Sequence, residues 1–464
     1  MRVRQLPVLF ACALAFALAA CGGGGSTAPE NGVLPVASAD PHAPVPAPTA
    51  TATPMPVPTS TSGTGTASTR IPNTAGRIGL LQVFDYHNGY MPAATIDQHA
   101  GKIDAVWASL EAGSWRAAHP GMLVSQYFIM GLDQHSLTHH NLTWWQQNHP
   151  DWILYACTSS GAPTHDVAYM GGIGVPDVPL DIHNAGAVAY QVGGMAKAAK
   201  SGGYNALAID QVVFWNIYEG GNPNFGQSVK SGEYGCGVWK GSTFDRLYAS
   251  PADPQYAADV VNYVAQARSI AHSYGLTLMV NHPAGSVSSA QEQQLLRNTD
   301  IDLDETGFSD YGRYVAGDGS IFKRELSYIR YAQQHGTGMM IIDKFSNEQH
   351  VDPIGLEYSL ATYLLGNQGG LLLFVGGAND YGTMQYHSEY DAPIGRPCGA
   401  VSGGPAVYSR RFSGGLAAVN ASAASQTLSL PSSGYHDIEG RAVSGSTLTI
   451  APNGAYVLLG GPGC

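Results

Sequence analysis

The chain has 464 residues, of which 34 are acidic and 22 are basic, so its formal net charge is −12. Such a surplus of negative charge disfavours nucleic acid as a binding partner. Only 12% of the residues are charged and 44% are hydrophobic, and the sequence contains 58 glycines and 28 prolines. This composition indicates a globular, loop-rich protein and excludes a coiled coil. The length fits one large domain with an annex, or two to three ordinary domains.

The N-terminus has the pattern of a lipoprotein signal peptide. Arg2 and Arg4 precede an apolar stretch from Leu6 to Leu18 that is too short to span a bilayer comfortably. The residues Leu-Ala-Ala that precede Cys21 complete a lipobox-like motif. Residues 1–21 are therefore predicted to be a signal peptide, with Cys21 lipidated and the exported chain anchored in the cell envelope. The alternative is an ordinary secretory signal in which Cys21 is incidental.

Residues 22–76 are predicted to be a flexible linker. They consist mainly of Pro, Ala, Thr, Ser and Gly, and Glu30, Asp40 and Arg70 are their only charged residues. Such a segment has too little apolar surface to offset the entropy of ordering. We therefore expect it to hold the folded part of the chain away from the membrane.

Four cysteines follow this linker, an even number that suits disulfides in an oxidising compartment. Three pairings are possible, and we favour Cys157 with Cys236 and Cys398 with Cys464. Free buried thiols or a zinc site are the alternatives. The close C-x-x-C spacing that favours zinc is absent.

Short apolar runs alternate with segments of helical spacing from residue 77 onward. The helical segments include Ile96 to Leu110, Ala257 to Ala267 and Phe322 to Ala332. Eight strand-and-helix units predict an α/β fold, a (β/α)8 TIM barrel over residues 77–400. The eight predicted strands are Ile78–Phe84, Met122–Met130, Trp152–Cys157, Ala206–Phe214, Thr277–Val280, Ile301–Leu303, Met339–Ile342 and Gly370–Val375.

The pattern changes near the C-terminus. Residues 401–464 form short alternating stretches separated by turn residues, such as Leu416 to Val419 and Tyr456 to Leu459. This pattern predicts a small C-terminal antiparallel β-domain. A unit of this size is only marginally stable alone, so we expect it to pack on the barrel.

The residues that follow the predicted strands are unusually polar, and in a barrel the chemistry lies at these strand ends. Asp210 and Glu305 form the sharpest pair, since carboxyl groups two strands apart can face each other across the barrel mouth. Two such groups suit glycoside hydrolysis, in which one protonates the leaving oxygen and the other attacks the sugar or activates water. Asp304 is the rival of Glu305, because neighbouring strand residues point in opposite directions. Alternatively, Asp210 caps the next segment and Glu305 joins a surface ion pair.

Five short motifs within residues 77–464 can be compared with those of known barrels. They are His149-Pro-Asp-Trp-Ile-Leu-Tyr, Leu180-Asp-Ile-His-Asn, Ala208-Ile-Asp-Gln, Asp304-Glu-Thr-Gly-Phe and Arg411-Phe-Ser-Gly-Gly-Leu-Ala-Ala-Val-Asn. With these motifs, the order of segments resembles the glycoside hydrolase-like barrels of bacteria, and more distantly the retaining glycosidases with a nucleophilic Asp after the fourth strand. The resemblance implies a sugar-cleaving barrel with Asp210 as nucleophile and Glu305 as acid/base. The insert between Asn216 and Asp253 departs from the family pattern.

Other polar and aromatic residues at the strand ends are candidate sugar ligands. Trp215 follows the strand of Asp210 and can stack on a sugar ring. A structural hydrogen bond is the alternative for each polar candidate. The predicted substrate-binding residues are Asp85, His87, Trp215, Asn281, His282 and Asp343.

Two other functions have to be weighed. A glycan-binding lipoprotein that retained the barrel without turnover is the first alternative. A metal-dependent hydrolase ranks lower. His135, His139 and His140 cluster after the second predicted strand, but a His-Glu-x-x-His motif is absent. We predict no cofactor and no metal. The expected partners are an oligosaccharide or polysaccharide and, through the lipid anchor, a membrane. We expect a monomer.

Overall fold

The computed structural model describes residues 71–87, 90–134, 140–170, 177–313 and 319–464. Eight parallel strands form one sheet in which the strands follow their chain order. These barrel strands are Leu81–Val83 (β1), Ala105–Trp107 (β2), Leu123–Ile129 (β3), Ala206–Asp210 (β4), Thr277–Asn281 (β5), Ile301–Asp304 (β6), Gly338–Phe345 (β7) and Leu371–Gly377 (β8).

The first and last strands meet and nearly close the sheet. Leu80 and Leu373 form a parallel bridge, and the Leu373 N–H donates a 2.9 Å hydrogen bond to the carbonyl of Gly79. Alternate strand residues point inward, so apolar side chains such as Met340 and Phe374 fill the interior. The predicted (β/α)8 barrel is confirmed.

Seven helices connect the strands within the described residues. Their apolar faces pack on the outside of the sheet, as the spacing of Val260, Val264 and Ala267 predicts. Asp253 caps one of them by accepting a hydrogen bond from the Gln255 N–H. The helices are Ala93–His99 (α1), Ala112–Ala118 (α2), Ala185–Ser201 (α3), Pro254–Ser273 (α4), Ala290–Arg297 (α5), Ser320–Gln334 (α6) and Pro353–Gly366 (α7).

The predicted order of strands in the first half of the barrel was wrong, because one strand was missed and one predicted strand lies elsewhere. β2 lies at Ala105–Trp107, inside a segment that the spacing predicted to be helical, so Met122–Met130 supplies the third strand and not the second. A strand of three residues is too short to show its own alternation. The run Trp152–Cys157 lies outside the barrel. Its last residues, Tyr155–Cys157, pair antiparallel with the strand Lys230–Lys240.

This pairing belongs to a second sheet built from the segments that follow β3 and β4. The insert between Asn216 and Asp253 therefore has a defined structure, and the Cys157–Cys236 disulfide links it to the segment after β3. The helix Leu142–Asn148 and a strand pair, Leu132–Gln134 with Asp177–Pro179, lie in the same region. The strands of the second sheet are Pro163–Val167, Tyr155–Cys157, Lys230–Lys240, Tyr218–Gly220 and Tyr169–Met170, with Thr243–Arg246 pairing on Lys230–Lys240.

The C-terminal residues form the predicted antiparallel β-domain, which packs against α7. The carboxylate of Glu357 on α7 accepts a 3.0 Å hydrogen bond from the Val457 N–H. The Cys398–Cys464 disulfide is present, so both favoured pairings are confirmed. The strands of this domain are Ser402–Gly403, Val407–Phe412, Gly415–Asn420, Tyr435–His436 and Ala455–Gly460 in one sheet, and Gln426–Ser429 with Thr447–Ile450 in another.

The predicted signal peptide with Cys21 and residues 22–70 of the predicted linker lie outside the described residues, as do His135 and His139. None of the helices in the described ranges has the length and apolar character needed to cross a membrane.

Candidate active site

Asp210 and Glu305 lie at the C-terminal ends of β4 and β6, two strands apart. Asp210 shares its strand face with Ala206 and Ala208, which belong to the barrel interior. Glu305 follows Leu303 in the same alternation. The backbone therefore points both carboxyl groups into the same end of the barrel.

The side chain of Asn281, at the end of the intervening strand β5, joins the two carboxyl groups. Its Nδ2 donates to Oδ1 of Asp210 at 2.8 Å and to Oε2 of Glu305 at 3.1 Å. An amide nitrogen has two N–H bonds about 120° apart, so these distances place the two oxygens about 5 Å from each other. The two carboxyl groups therefore face each other across the barrel mouth, bridged by one amide nitrogen.

Each carboxyl group also has a tyrosine donor. The Tyr127 hydroxyl donates to Oδ2 of Asp210 at 2.6 Å, and the Tyr381 hydroxyl donates to Oε1 of Glu305 at 2.6 Å. Oδ1 of Asp210 accepts a further 2.7 Å hydrogen bond from the Gln211 N–H. Gln211 has a left-handed backbone with φ 58°, a strained conformation typical of functional sites.

Burial raises the pKa of both carboxyl groups, but their surroundings differ. Three hydrogen bonds, from Tyr127, Gln211 and Asn281, oppose the effect of burial on the pKa of Asp210. For Glu305, the negative charge of Asp210 adds to burial and raises the pKa further, whereas hydrogen bonds from Tyr381 and Asn281 and the positive charge of Lys344 lower it. The two carboxyl groups therefore titrate as a pair, which retains a proton to higher pH than two isolated carboxyl groups would.

Aromatic rings surround the pair. Phe84, at the end of β1, stacks on Tyr381 with ring centroids 5.5 Å apart and meets Tyr127 edge-on at 5.8 Å. Lys344 Nζ lies 4.0 Å from the centre of the Tyr381 ring, a cation–π contact. Burial, and then the positive charge of Lys344, lower the pKa of the nearby His87. His87 therefore lies beside the pair as a neutral, exposed imidazole at pH 7.

Asp304, the rival of Glu305, points away from this site. It is fully buried, and its oxygens accept hydrogen bonds of 2.7 Å from the Ala284 N–H and 2.6 Å from the Thr306 N–H. Asp304 therefore fixes the two loops that follow β5 and β6, and Glu305 is the residue that faces Asp210.

Three of the predicted sugar ligands are buried and hydrogen-bonded to other groups of the protein. Asp85 accepts hydrogen bonds from the Ser109 hydroxyl and the Trp115 indole N–H. Asp343 accepts from the hydroxyls of Ser309 and Ser359. These two carboxylates hold loops and helices against the barrel.

The imidazole of His282 is buried in the same way. It bridges the carbonyl of Val212, 2.6 Å from Nδ1, and the carboxylate of Glu292, 3.0 Å from Nε2. Trp215 is 47% exposed in the segment after β4. Of the predicted sugar ligands, Asn281 thus contacts both carboxyl groups, and the His87 ring lies 6.3 Å from the ring of Tyr381, which bonds to Glu305.

Three site residues escaped the sequence reasoning: Tyr127, Lys344 and Tyr381. The alternation along each strand contains a signal for the first two, because Tyr127 and Lys344 share their strand faces with inward-pointing residues such as Leu123 and Ile342. Tyr381 lies in a loop beyond β8, where the sequence has no such period.

Among the residues that the structure describes, no group of three or more His, Cys, Asp or Glu side chains is arranged to hold a metal ion. His140, the described member of the histidine cluster, stacks on Trp144 with ring centroids 3.7 Å apart. The described residues at the barrel mouth are therefore considered for acid/base chemistry.

No protein-family model and no curated protein matches this sequence. Among solved structures, the chain is similar to a noncanonic maltogenic α-amylase, AmyB, from Thermotoga neapolitana, with 11% identity, a TM-score of 0.44 and coverage of 82% of this chain and 98% of that chain. Amy13B of Eubacterium rectale has 8% identity and a TM-score of 0.45, with 84% and 97% covered. A GH27 β-L-arabinopyranosidase from Geobacillus stearothermophilus has 11% identity and a TM-score of 0.44, with 84% and 97% covered. These likenesses assign no activity to this chain.

Proposed function

We propose that the protein is a retaining glycoside hydrolase with Asp210 as nucleophile and Glu305 as acid/base. The observation that carries this proposal is the Asn281 amide, which donates to both carboxyl groups. Ideal amide geometry then gives a distance of about 5 Å between the two accepting oxygens. Retaining enzymes have a separation of about 5 to 5.5 Å, whereas inverting enzymes need about 6.5 to 9.5 Å to admit a water molecule.

In the first step, the protonated carboxyl of Glu305 gives its proton to the glycosidic oxygen as the bond from that oxygen to the anomeric carbon breaks. A carboxylate oxygen of Asp210 attacks the same carbon and forms a glycosyl ester. Oδ2 is the attacking oxygen we propose, because it accepts one protein hydrogen bond whereas Oδ1 accepts two. In the second step, Glu305 takes a proton from water, which displaces Asp210 from the anomeric carbon.

The substrate we propose is an oligosaccharide or polysaccharide at or near the cell surface. Asn281, His87 and the exposed Trp215 are proposed to contact it, the first two from beside the carboxyl pair. The N-terminal sequence supports export and anchoring in the cell envelope through Cys21, on the periplasmic or cell-surface side. We propose that the protein acts as a monomer.

The test is hydrolysis of a panel of 4-nitrophenyl glycosides and soluble polysaccharides by the full chain, by Asp210→Asn and by Asp97→Asn. Asp97 is exposed on α1 and provides a matched removal of one carboxylate. We expect Asp210→Asn to lower kcat/KM by at least about a thousandfold, and Asp97→Asn to match the parent. Proton NMR of the first-formed sugar should show the anomeric configuration of the bond that was cleaved.

Inversion of configuration would remove Asp210 from the nucleophile role. Equal activity of Asp210→Asn and the parent would overturn the proposed site. Saturable binding of a glycan that the parent never cleaves would instead favour the glycan-binding alternative.

A further inference from the structure

A second candidate site lies at the opposite end of the barrel. It is a cavity of about 360 Å³ between the C-terminal β-domain and the ends of α6 and α7. These helix ends precede β7 and β8, so the cavity lies at the N-terminal ends of the barrel strands. Asp210 and Glu305 lie at their C-terminal ends. Its volume is that of a small-molecule site.

The cavity is lined by three arginines, Arg77, Arg330 and Arg410, and by no Asp or Glu. Arg77 has a partner, since its guanidinium forms an ion pair with Asp104 at 2.6 Å. Arg330 and Arg410 have no carboxylate partner among the described residues.

Arg410 is held in place by the protein itself. It is 8% exposed, and it donates hydrogen bonds to the carbonyls of Gly399 at 3.0 Å, Leu364 at 3.1 Å and Asn367 at 2.6 Å. Burial, and then the positive charge of Arg330, lower its pKa. Neutral carbonyls orient this guanidinium but leave the charge of the two arginines uncompensated.

We infer that this cavity binds a small molecule of about monosaccharide size that carries a carboxylate or a phosphate ester. Two guanidinium groups suit an oxyanion in geometry and charge. Arg410 would contribute its Nη2, because its Nε and Nη1 donate to carbonyls. Leu364, Leu365 and Phe412 provide an apolar wall for the rest of the ligand. The inference is independent of the proposed hydrolysis.

The test is isothermal titration of the full chain with glucose 6-phosphate, glucuronate and glucose at low ionic strength. We expect saturable binding of at least one anion and none of glucose. Arg330→Gln should weaken that binding by roughly tenfold or more, because hydrogen bonds to charged groups are strong. Arg297→Gln, which removes an exposed arginine from α5, should bind as the parent does.

Binding of glucose 6-phosphate alone supports a phosphate ester as the ligand, and binding of glucuronate also supports acidic sugars. The inference is overturned if neither anion binds, if glucose binds equally well, or if Arg330→Gln binds as tightly as the parent. Loss of anion binding in Asp210→Asn would place the anion at the other end of the barrel and would also overturn it.

Discussion

The hydroxyl of Tyr127 donates a 2.6 Å hydrogen bond to Oδ2 of Asp210, from the strand next to that of the carboxylate. Tyr381 makes the equivalent bond to Glu305 from the loop after β8. Each tyrosine lowers the pKa of the carboxyl group to which it donates. The two tyrosines therefore act separately on the pKa of the proposed nucleophile and on the pKa of the proposed acid.

Tyr127→Phe is expected to shift the acidic limb of the pH profile of kcat/KM to higher pH. Hydrolysis requires Asp210 as a carboxylate, and loss of the donor raises the pKa of Asp210. The measurement is kcat/KM between about pH 3 and pH 9 for the variant and the parent. An unchanged acidic limb would mean that Asp210 does not act in its charged form.

Tyr381→Phe is expected to shift the basic limb of the pH profile of kcat/KM. Glu305 has to be protonated to donate its proton, and loss of the tyrosine donor raises its pKa. The basic limb should therefore move to higher pH while the acidic limb stays in place. If both phenylalanine variants shift the same limb, the assigned roles of the two carboxyl groups are wrong.

Glu305→Gln is expected to discriminate between substrates by their leaving group. With a sugar leaving group, loss of the acid should lower the rate by about 10² to 10⁴. With a 2,4-dinitrophenyl glycoside, whose leaving group needs no protonation, the first step should remain fast. The glycosyl ester should then accumulate on the enzyme while 2,4-dinitrophenolate is released in a burst. Stopped-flow absorbance measures that burst. An equal loss on both substrates would argue against Glu305 as the acid.

Much of the barrel could be predicted from the sequence, because buried parallel strands read as uninterrupted apolar runs. Ala206–Asp210 and Gly338–Phe345 are examples. The failures have a common physical cause. Ala105–Trp107 is too short to show a period, and Tyr155–Cys157 has strand-forming residues but pairs outside the barrel. Local sequence specifies that a segment is extended but not which strand it pairs with.

The candidate site was predictable to the extent that it lies on strands. Asp210, Asn281 and Glu305 converge as the strand order requires. The neighbouring residues Asp343 and Lys344 show where this prediction fails. One of the two faces the barrel mouth and the other faces the helices, and an error of one residue in the register exchanges them. Asp343 bonds to Ser359 on α7, and Lys344 contacts Tyr381. Tyr381 reaches the site from a loop, and no periodic pattern in the sequence predicts the path of that loop.

The Cys398–Cys464 disulfide ties the chain end to the C-terminal domain, across a sequence separation of 66 residues. Replacing both cysteines with serine is expected to lower the free energy of unfolding by about 2 to 4 kcal/mol, because the unfolded chain gains conformational freedom. Urea unfolding followed by circular dichroism measures the change. A double variant with stability equal to the parent would show that packing on α7 alone holds the domain.

Glu357 makes the stability of the same interface dependent on pH. Its carboxyl group accepts a hydrogen bond from the Val457 N–H, and burial raises its pKa from 4.5 to about 7. The folded protein therefore binds this proton more tightly than the unfolded chain. The stabilising contribution is complete below about pH 4.5 and is lost as the pH rises to about 7.

Glu357→Gln retains an oxygen acceptor for Val457 but has no proton to lose. Relative to the parent, its free energy of unfolding should rise between about pH 4.5 and pH 7, and above that window the gain should stay constant at about 1 to 3 kcal/mol. Urea unfolding at pH 4, 6 and 8 measures this difference, and other titrating groups cancel because both proteins contain them. Asp97→Asn, which changes an exposed carboxylate on α1, should show no such dependence. A difference between Glu357→Gln and the parent that is the same at all three pH values would mean that folding does not raise the pKa of Glu357.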